Sequence, residues 1–243
     1  RCRSFPMALE HATFKVITSL RSQLPASARI LCLGYPDLLV LKEDLVQAGA
    51  CTADEQFPLA ADADAIARWH GWKDPIFDTA TTFNRLGFMP TFIDIHPSRG
   101  IEQVVDLNLE LPMEMRGMFD LVLDGGTLEH CFNIGQAFMN VAHAVRDGGF
   151  IVHSNPMSCF NHGFWNLSAT TYHDFYTQNG FEVLDLFGML GKVGQREVAA
   201  LPPTDCIQLP PEVSSLVIVR KTREQPLHWP TQGKYLKNTT LKG

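Results

Sequence analysis

Five short apolar runs, each closed by a glycine or a polar residue, constrain what this chain can become. They occupy 28–34 (ARILCLG), 91–95 (TFIDI), 104–107 (VVDL), 119–123 (FDLVL) and 150–153 (FIVH). Runs this short and this continuously apolar suit strands buried on both faces. Helical patterns lie between them. Amphipathic spacing predicts helices over 7–22 (through Leu9, Phe14, Ile17 and Leu20), 61–69, 76–86, 132–145 and 170–179. A further helix is predicted over 38–48, capped by Asp37 and stopped by Gly49. Gly148-Gly149 is read as the stop of the helix over 132–145. Two more runs, 181–187 and 215–220, have no helix between them and could pair antiparallel. Strands alternating with helices predict an α/β fold with a mostly parallel, helix-covered sheet.

Composition narrows the function classes. The chain has 243 residues, 45% of them hydrophobic, enough to bury a sizeable core within a single domain. A net charge of −6 argues against a dedicated nucleic-acid binder, which needs a basic footprint. No apolar run of about 18 residues is present, so no membrane span is expected. Six cysteines without a CxxC pair predict neither a disulfide framework nor a zinc site and point to a reducing cytoplasm. No leader segment is recognisable.

In parallel sheets, ligands bind beyond the carboxyl ends of the strands, where strand order reverses. Here those ends carry Asp94, Asp106, Asp124 and then His153-Ser154-Asn155. Three acids in succession at strand ends are the first sign of a site.

These stretches resemble the class I S-adenosylmethionine-dependent methyltransferases. The similarity runs through FIDIHP (92–97), VVDLN (104–108), FDLVLDGGTLEHC (119–131), AVRDGGFIVHSNP (144–156) and NHGFWNLSATTYHDFYTQNGF (161–181). With the first strand it covers roughly 28–187, and the run 213–220 suits the family's reversed last strand. The resemblance implies a Rossmann-like sheet with helices on both faces and S-adenosylmethionine as cofactor. It places Gly34 in the turn that approaches the cofactor, or in a plain tight turn, with Tyr35 or Asp37 meeting the cofactor's ammonium group. It gives Asp94, followed by Ile95, the ribose hydroxyls, with helix capping as the other role open to that acid. Asp106 and Leu107 correspond to the adenine position, or Asp106 closes an Asx-turn. Asp124 and Gly125 would line the pocket near the transferable methyl. Sixty residues separate Gly34 from Asp94, so either 50–88 is an insertion or the second strand lies elsewhere than 91–95.

The stretch 148–173 holds no Asp, Glu, Lys or Arg in 26 residues, yet is rich in amides, imidazoles and aromatics, the composition of a pocket wall. His130, His153 and His162 are the candidate bases for an acceptor that must lose a proton. Their spacing is not that of a metal site, and none is expected. The chain is therefore read as a methyltransferase acting on an O or N acceptor of a small molecule or saccharide. A non-catalytic nucleoside-binding protein on the same fold is the alternative. A nicotinamide-dependent dehydrogenase is disfavoured because no GxGxxG occurs. Segment 188–212 is read as a lid, 221–243 as a loosely packed tail, and a homodimer is compatible with the sequence.

Overall fold

The computed structural model describes residues 8–237. Cys2, Met7 at the start of the first predicted helix, and the end of the tail from 238 lie outside the described residues. The chain runs β1 (Ala8–Glu10), α1 (His11–Leu20), β2 (Arg29–Leu33), β3 (Asp37–Leu39), α2 (Lys42–Ala48), α3 (Ala63–His70), α4 (Thr79–Arg85) and β4 (Met89–Asp94). It continues through β5 (Gln103–Val104), β6 (Phe119–Asp124), α5 (Ile134–Ala144), β7 (Val145–His153), α6 (Ala169–Gln178), β8 (Phe181–Leu190), β9 (Glu197–Ala200), β10 (Ser214–Lys221) and α7 (Gly233–Lys237).

The main sheet has eight strands in the order β5-β4-β2-β6-β7-β10-β8-β9. Strands β5, β4, β2, β6 and β7 are parallel, while β10 runs against both of its neighbours. This is the mostly parallel α/β sheet expected, with the reversed strand that the resemblance implied. The chain leaves β2 in one direction for β4 and β5, then returns to its other side for β6 and β7. Strand order therefore reverses between β2 and β6.

The period of two along each strand divides the core. Ile30, Cys32, Phe92, Leu121 and Leu123 face α1 and α4, against Phe14, Ile17 and Phe83. Leu31, Leu33, Ile93 and Val122 face α5 and α6, against Phe138, Val141 and Phe175. Both faces of the central strands are covered, and this is why those segments are apolar without alternation.

Several elements differ from expectation. Residues 8–10 form a strand rather than the start of a helix, because they pair in parallel with β3. Asp37 accordingly begins β3 and caps nothing; α2 starts at Lys42, with Asp44 accepting from the Leu41 amide. The third main-sheet strand shrinks to Gln103–Val104. Phe132 stands outside α5 and is 70% exposed. Strand β7 begins directly at Val145, and the two glycines fall inside it. Segment 188–212 is not without structure: β8 extends to Leu190 and pairs with β9 as a hairpin. The tail is tied to the end of α6, where Asn179 Nδ2 donates to the His228 carbonyl and Gln178 Nε2 to that of Thr231. Among the described residues, no helix is long and apolar enough to cross a membrane, and Cys32, Cys51, Cys131 and Cys206 are free thiols.

Candidate active site

Strands β4 and β5 end side by side, joined by the Val105 amide donating to the Asp94 carbonyl. This places the Asp94 and Asp106 carboxylates on one hollow of about 230 Å³, at the edge of the sheet where strand order reverses. Ile95 and Leu107 line it, and Thr127, His130 and Cys131 close it from the β6 side. Asp94 Oδ1 accepts from the His96 amide at 2.9 Å. Asp106 Oδ1 accepts from the Asn108 amide at 2.9 Å and its Nδ2 at 2.8 Å, an Asx-turn. The second oxygen of each carboxylate has no protein donor among the described residues. Burial pushes the Cys131 thiol up to about 12, with the Asp124, Asp106, Glu129 and Asp94 charges adding to the effect. That sulfur stays protonated at neutral pH.

Gly34 takes φ +83° and donates its amide to the Ile93 carbonyl, so it makes the tight turn. The residues after it do not reach the hollow. The Tyr35 hydroxyl donates to Asp78 Oδ2 at 2.6 Å and accepts from the Ala80 amide, tying it to the start of α4. Burial pushes its phenol pKa up, and the Asp78 hydrogen bond adds to this. Asp37 receives Arg99 Nη2 at 2.9 Å and lies 3.0 Å from His70 Nε2. Pairing of β3 with β1 draws both residues away from the strand ends. Neither lines the Asp94–Asp106 hollow.

Asp124 and His153 are held inside the protein by a buried network. Asp124 is fully buried; its Oδ1 accepts from the Thr127 and Leu128 amides, and its Oδ2 from Asn155 Nδ2 at 2.8 Å. The same Oδ2 lies 2.8 Å from His153 Nδ1, and His153 Nε2 lies 2.6 Å from the Tyr176 hydroxyl. His153 has no exposed surface, both its ring nitrogens are engaged, and it does not line the Asp94–Asp106 hollow. The rest of the network is Tyr172, which donates to Asn155 Oδ1, and Ser215, which accepts from the Asn155 amide.

Asn155 carries this buried network to the surface of the site. Its Nδ2 also donates to Oε2 of Glu129 at 3.0 Å. Glu129 is fully buried in the 3-10 turn Leu128–His130. Its other oxygen, Oε1, lies 3.3 Å from His162 Nε2 and 3.8 Å from His130 Nε2. The two imidazoles are 5.1 Å apart. His130 lines the Asp94–Asp106 hollow, whereas Glu129 and His162 line a second one of about 30 Å³ with Gly125, Glu10 and Arg196. Gly126 borders both. Arg196 Nε bridges both oxygens of Glu10 at 3.0 Å, which brings the β8–β9 hairpin over the strand ends.

Sequence reasoning overlooked Glu129, Glu10 and Arg196. A carboxylate inside an otherwise apolar approach to α5 was the one available signal for Glu129. Glu10 and Arg196 are 186 positions apart and gave none.

No protein-family model matches this chain, and no curated protein matches it. Solved structures do. The CurJ carbon methyltransferase is similar at a TM-score of 0.48 and 14% identity, over 87% of this chain and 54% of that one. This chain thus spans about half the length of that structure. The 1,6-didemethyltoxoflavin-N1-methyltransferase of Burkholderia thailandensis, with 1,6-didemethyltoxoflavin and S-adenosylhomocysteine bound, is similar at a TM-score of 0.45 and 14% identity, over 86% and 77% of the two chains. MccD protein is similar at a TM-score of 0.47 and 14% identity, over 86% of this chain and 97% of that one.

Proposed function

We propose that this chain is an S-adenosylmethionine-dependent methyltransferase acting on an O or N acceptor of a small molecule or saccharide. One observation carries the reading. Asp94 and Asp106 share a hollow at the reversal of strand order, and each keeps one carboxylate oxygen without a donor among the described residues. That donor chemistry fits a nucleoside: Asp94 accepts from ribose hydroxyls, and Asp106 accepts from the exocyclic amine of adenine. Ile95 and Leu107 supply apolar walls for the flat base.

S-adenosylmethionine bound there supplies a methyl group already activated by the sulfonium charge. The protein's part is then proximity and alignment. Gly126 borders both hollows and puts no side chain of its own between donor and acceptor. Glu129, His130 and His162 line the two hollows and are what the chain offers an acceptor that must lose a proton. Phe132, next in the chain to Cys131 of the first hollow, packs edge-on against Phe164 at 5.3 Å, and both are exposed. Exposed apolar surface of this kind beside a cleft suits an acceptor with a ring face.

The small volume of the second hollow favours one other reading, a nucleoside-binding protein without transfer activity. Calorimetric titration with S-adenosylhomocysteine, followed by transfer assays with labelled S-adenosylmethionine over phenols, amines and saccharides, tests both. Tight binding with transfer supports the proposal. Binding without transfer to any acceptor selects the alternative, and no binding removes both.

A further inference from the structure

We propose that Glu129, His130 and His162 form a binding site for a divalent transition-metal ion of the zinc type. The spacing argues for it. With metal–ligand distances near 2.0–2.1 Å, two tetrahedral ligands stand roughly 3.3–3.4 Å apart. Glu129 Oε1 and His162 Nε2 are 3.3 Å apart, Glu129 Oε1 and His130 Nε2 are 3.8 Å apart, and the three ligand atoms all lie within 4.8 Å of one another. His130 has a half-exposed side chain and the freedom to close the remaining gap.

The second observation concerns the carboxylate. Glu129 Oε1 is buried and accepts no hydrogen bond. The nearby imidazole of His162 stands at ion-pair distance without the alignment of a hydrogen bond. A buried carboxyl oxygen left in that condition is costly, and a cation between it and the two imidazoles would satisfy it.

The surroundings hold the three ligands as a metal's outer partners do. Asn155 fixes Oε2, which turns Oε1 toward the histidines. The Glu129 carbonyl accepts the Phe164 and Trp165 amides, so the 161–165 segment that carries His162 is fastened to the same residue. Two His and one Glu match the ligand set of catalytic zinc, in which the fourth position stays open. Of the three ligands, His130 lines the Asp94–Asp106 hollow, and Glu129 and His162 line the second one. Only one consequence rests on the methyl-transfer reading: an acceptor oxygen bound at the open position would have its O–H acidified, with the proton passing to solvent.

The test uses the full chain, stripped with a chelator and dialysed. Zn2+ is titrated in competition with a chromogenic chelator, and Co2+ is followed by its visible absorption. Expected are one ion per chain, Co2+ bands of a four-coordinate nitrogen and oxygen site without thiolate charge transfer, and a loss of at least about 100-fold in affinity in His130→Ala. His130 is exposed enough for that variant to keep its fold, which circular dichroism verifies; His162→Asn is the second variant. Absence of stoichiometric binding, or equal binding by wild type and both variants, would overturn the proposal. S-adenosylhomocysteine binding measured on the same samples separates this result from the nucleoside reading. Loss of metal with retained nucleoside binding refutes only the metal site, and the reverse refutes only the methyltransferase.

Discussion

Gly163 lies flat against Glu129. A Cβ at position 163 would stand 2.8 Å from the Glu129 carbonyl oxygen and 3.0 Å from its Cγ, closer than real Cβ atoms approach their neighbours. The glycine in NHGFW is thus required by close approach, and it lets the loop bearing His162 clamp the buried acid. Gly163→Ala is expected to cost about 1–3 kcal/mol of stability through overpacking, and to weaken Zn2+ binding. Denaturant unfolding and the metal titration measure the two effects. An alanine variant with unchanged midpoint and metal affinity would show that the clamp has no role.

Asp94 and Asp37 allow a direct contrast. Asp94→Ala removes the ribose acceptor and should weaken S-adenosylhomocysteine at least about 10-fold, since hydrogen bonds to a charged group are worth roughly 1.5–3 kcal/mol. Asp37→Asn loosens the Arg99 and His70 contacts, 2.9 Å and 3.0 Å away, and should lower the melting temperature while leaving that affinity within about twofold. Calorimetry on both variants decides the matter. An affinity loss confined to Asp37→Asn would move the cofactor to the other side of β2.

The buried network holds His153 between Asp124 and Tyr176. Tyr176→Phe removes the hydroxyl 2.6 Å from His153 Nε2 and leaves a fully buried ring nitrogen without its partner. A loss of about 1–3 kcal/mol is expected from urea unfolding, with nucleoside affinity unchanged.

Cys131 gives a prediction in pH. Its thiol is raised from 9.0 to about 12, chiefly by burial. The folded state therefore disfavours the thiolate. The associated stability is complete below pH 9 and is lost as pH rises toward 12. At pH 8.5 Cys131 should resist iodoacetamide while the exposed Cys206 reacts, as read by peptide mass mapping. Equal labelling of the two thiols in folded protein would contradict the burial.

The strand ends were legible because they are local. Continuous apolar runs closed by Asp94 and Asp124 announce buried parallel strands whatever the rest of the chain does. Asp37 shows where local reading stops. The capping pattern before a helix is present, but pairing with Ala8, 29 residues upstream, pulls the residue into a β-pair instead. Phe132 fits the apolar face of α5 by spacing, yet the 3-10 turn Leu128–His130 shifts the start of that helix and leaves the ring exposed.

The amino-acid order alone determined the layered sheet and the acids at its carboxyl edge, since period and termination depend on neighbours along the chain. Folding decided which of those acids remain available. Asp124 and Asp94 both end strands, but Asp124 is enclosed by His153 and Asn155 from β7 and the loop beyond it, whereas Asp94 borders open space. The meeting of Glu129 with His162 was decided in the same way, because contacts between residues far apart in sequence exist only once the backbone has closed on itself.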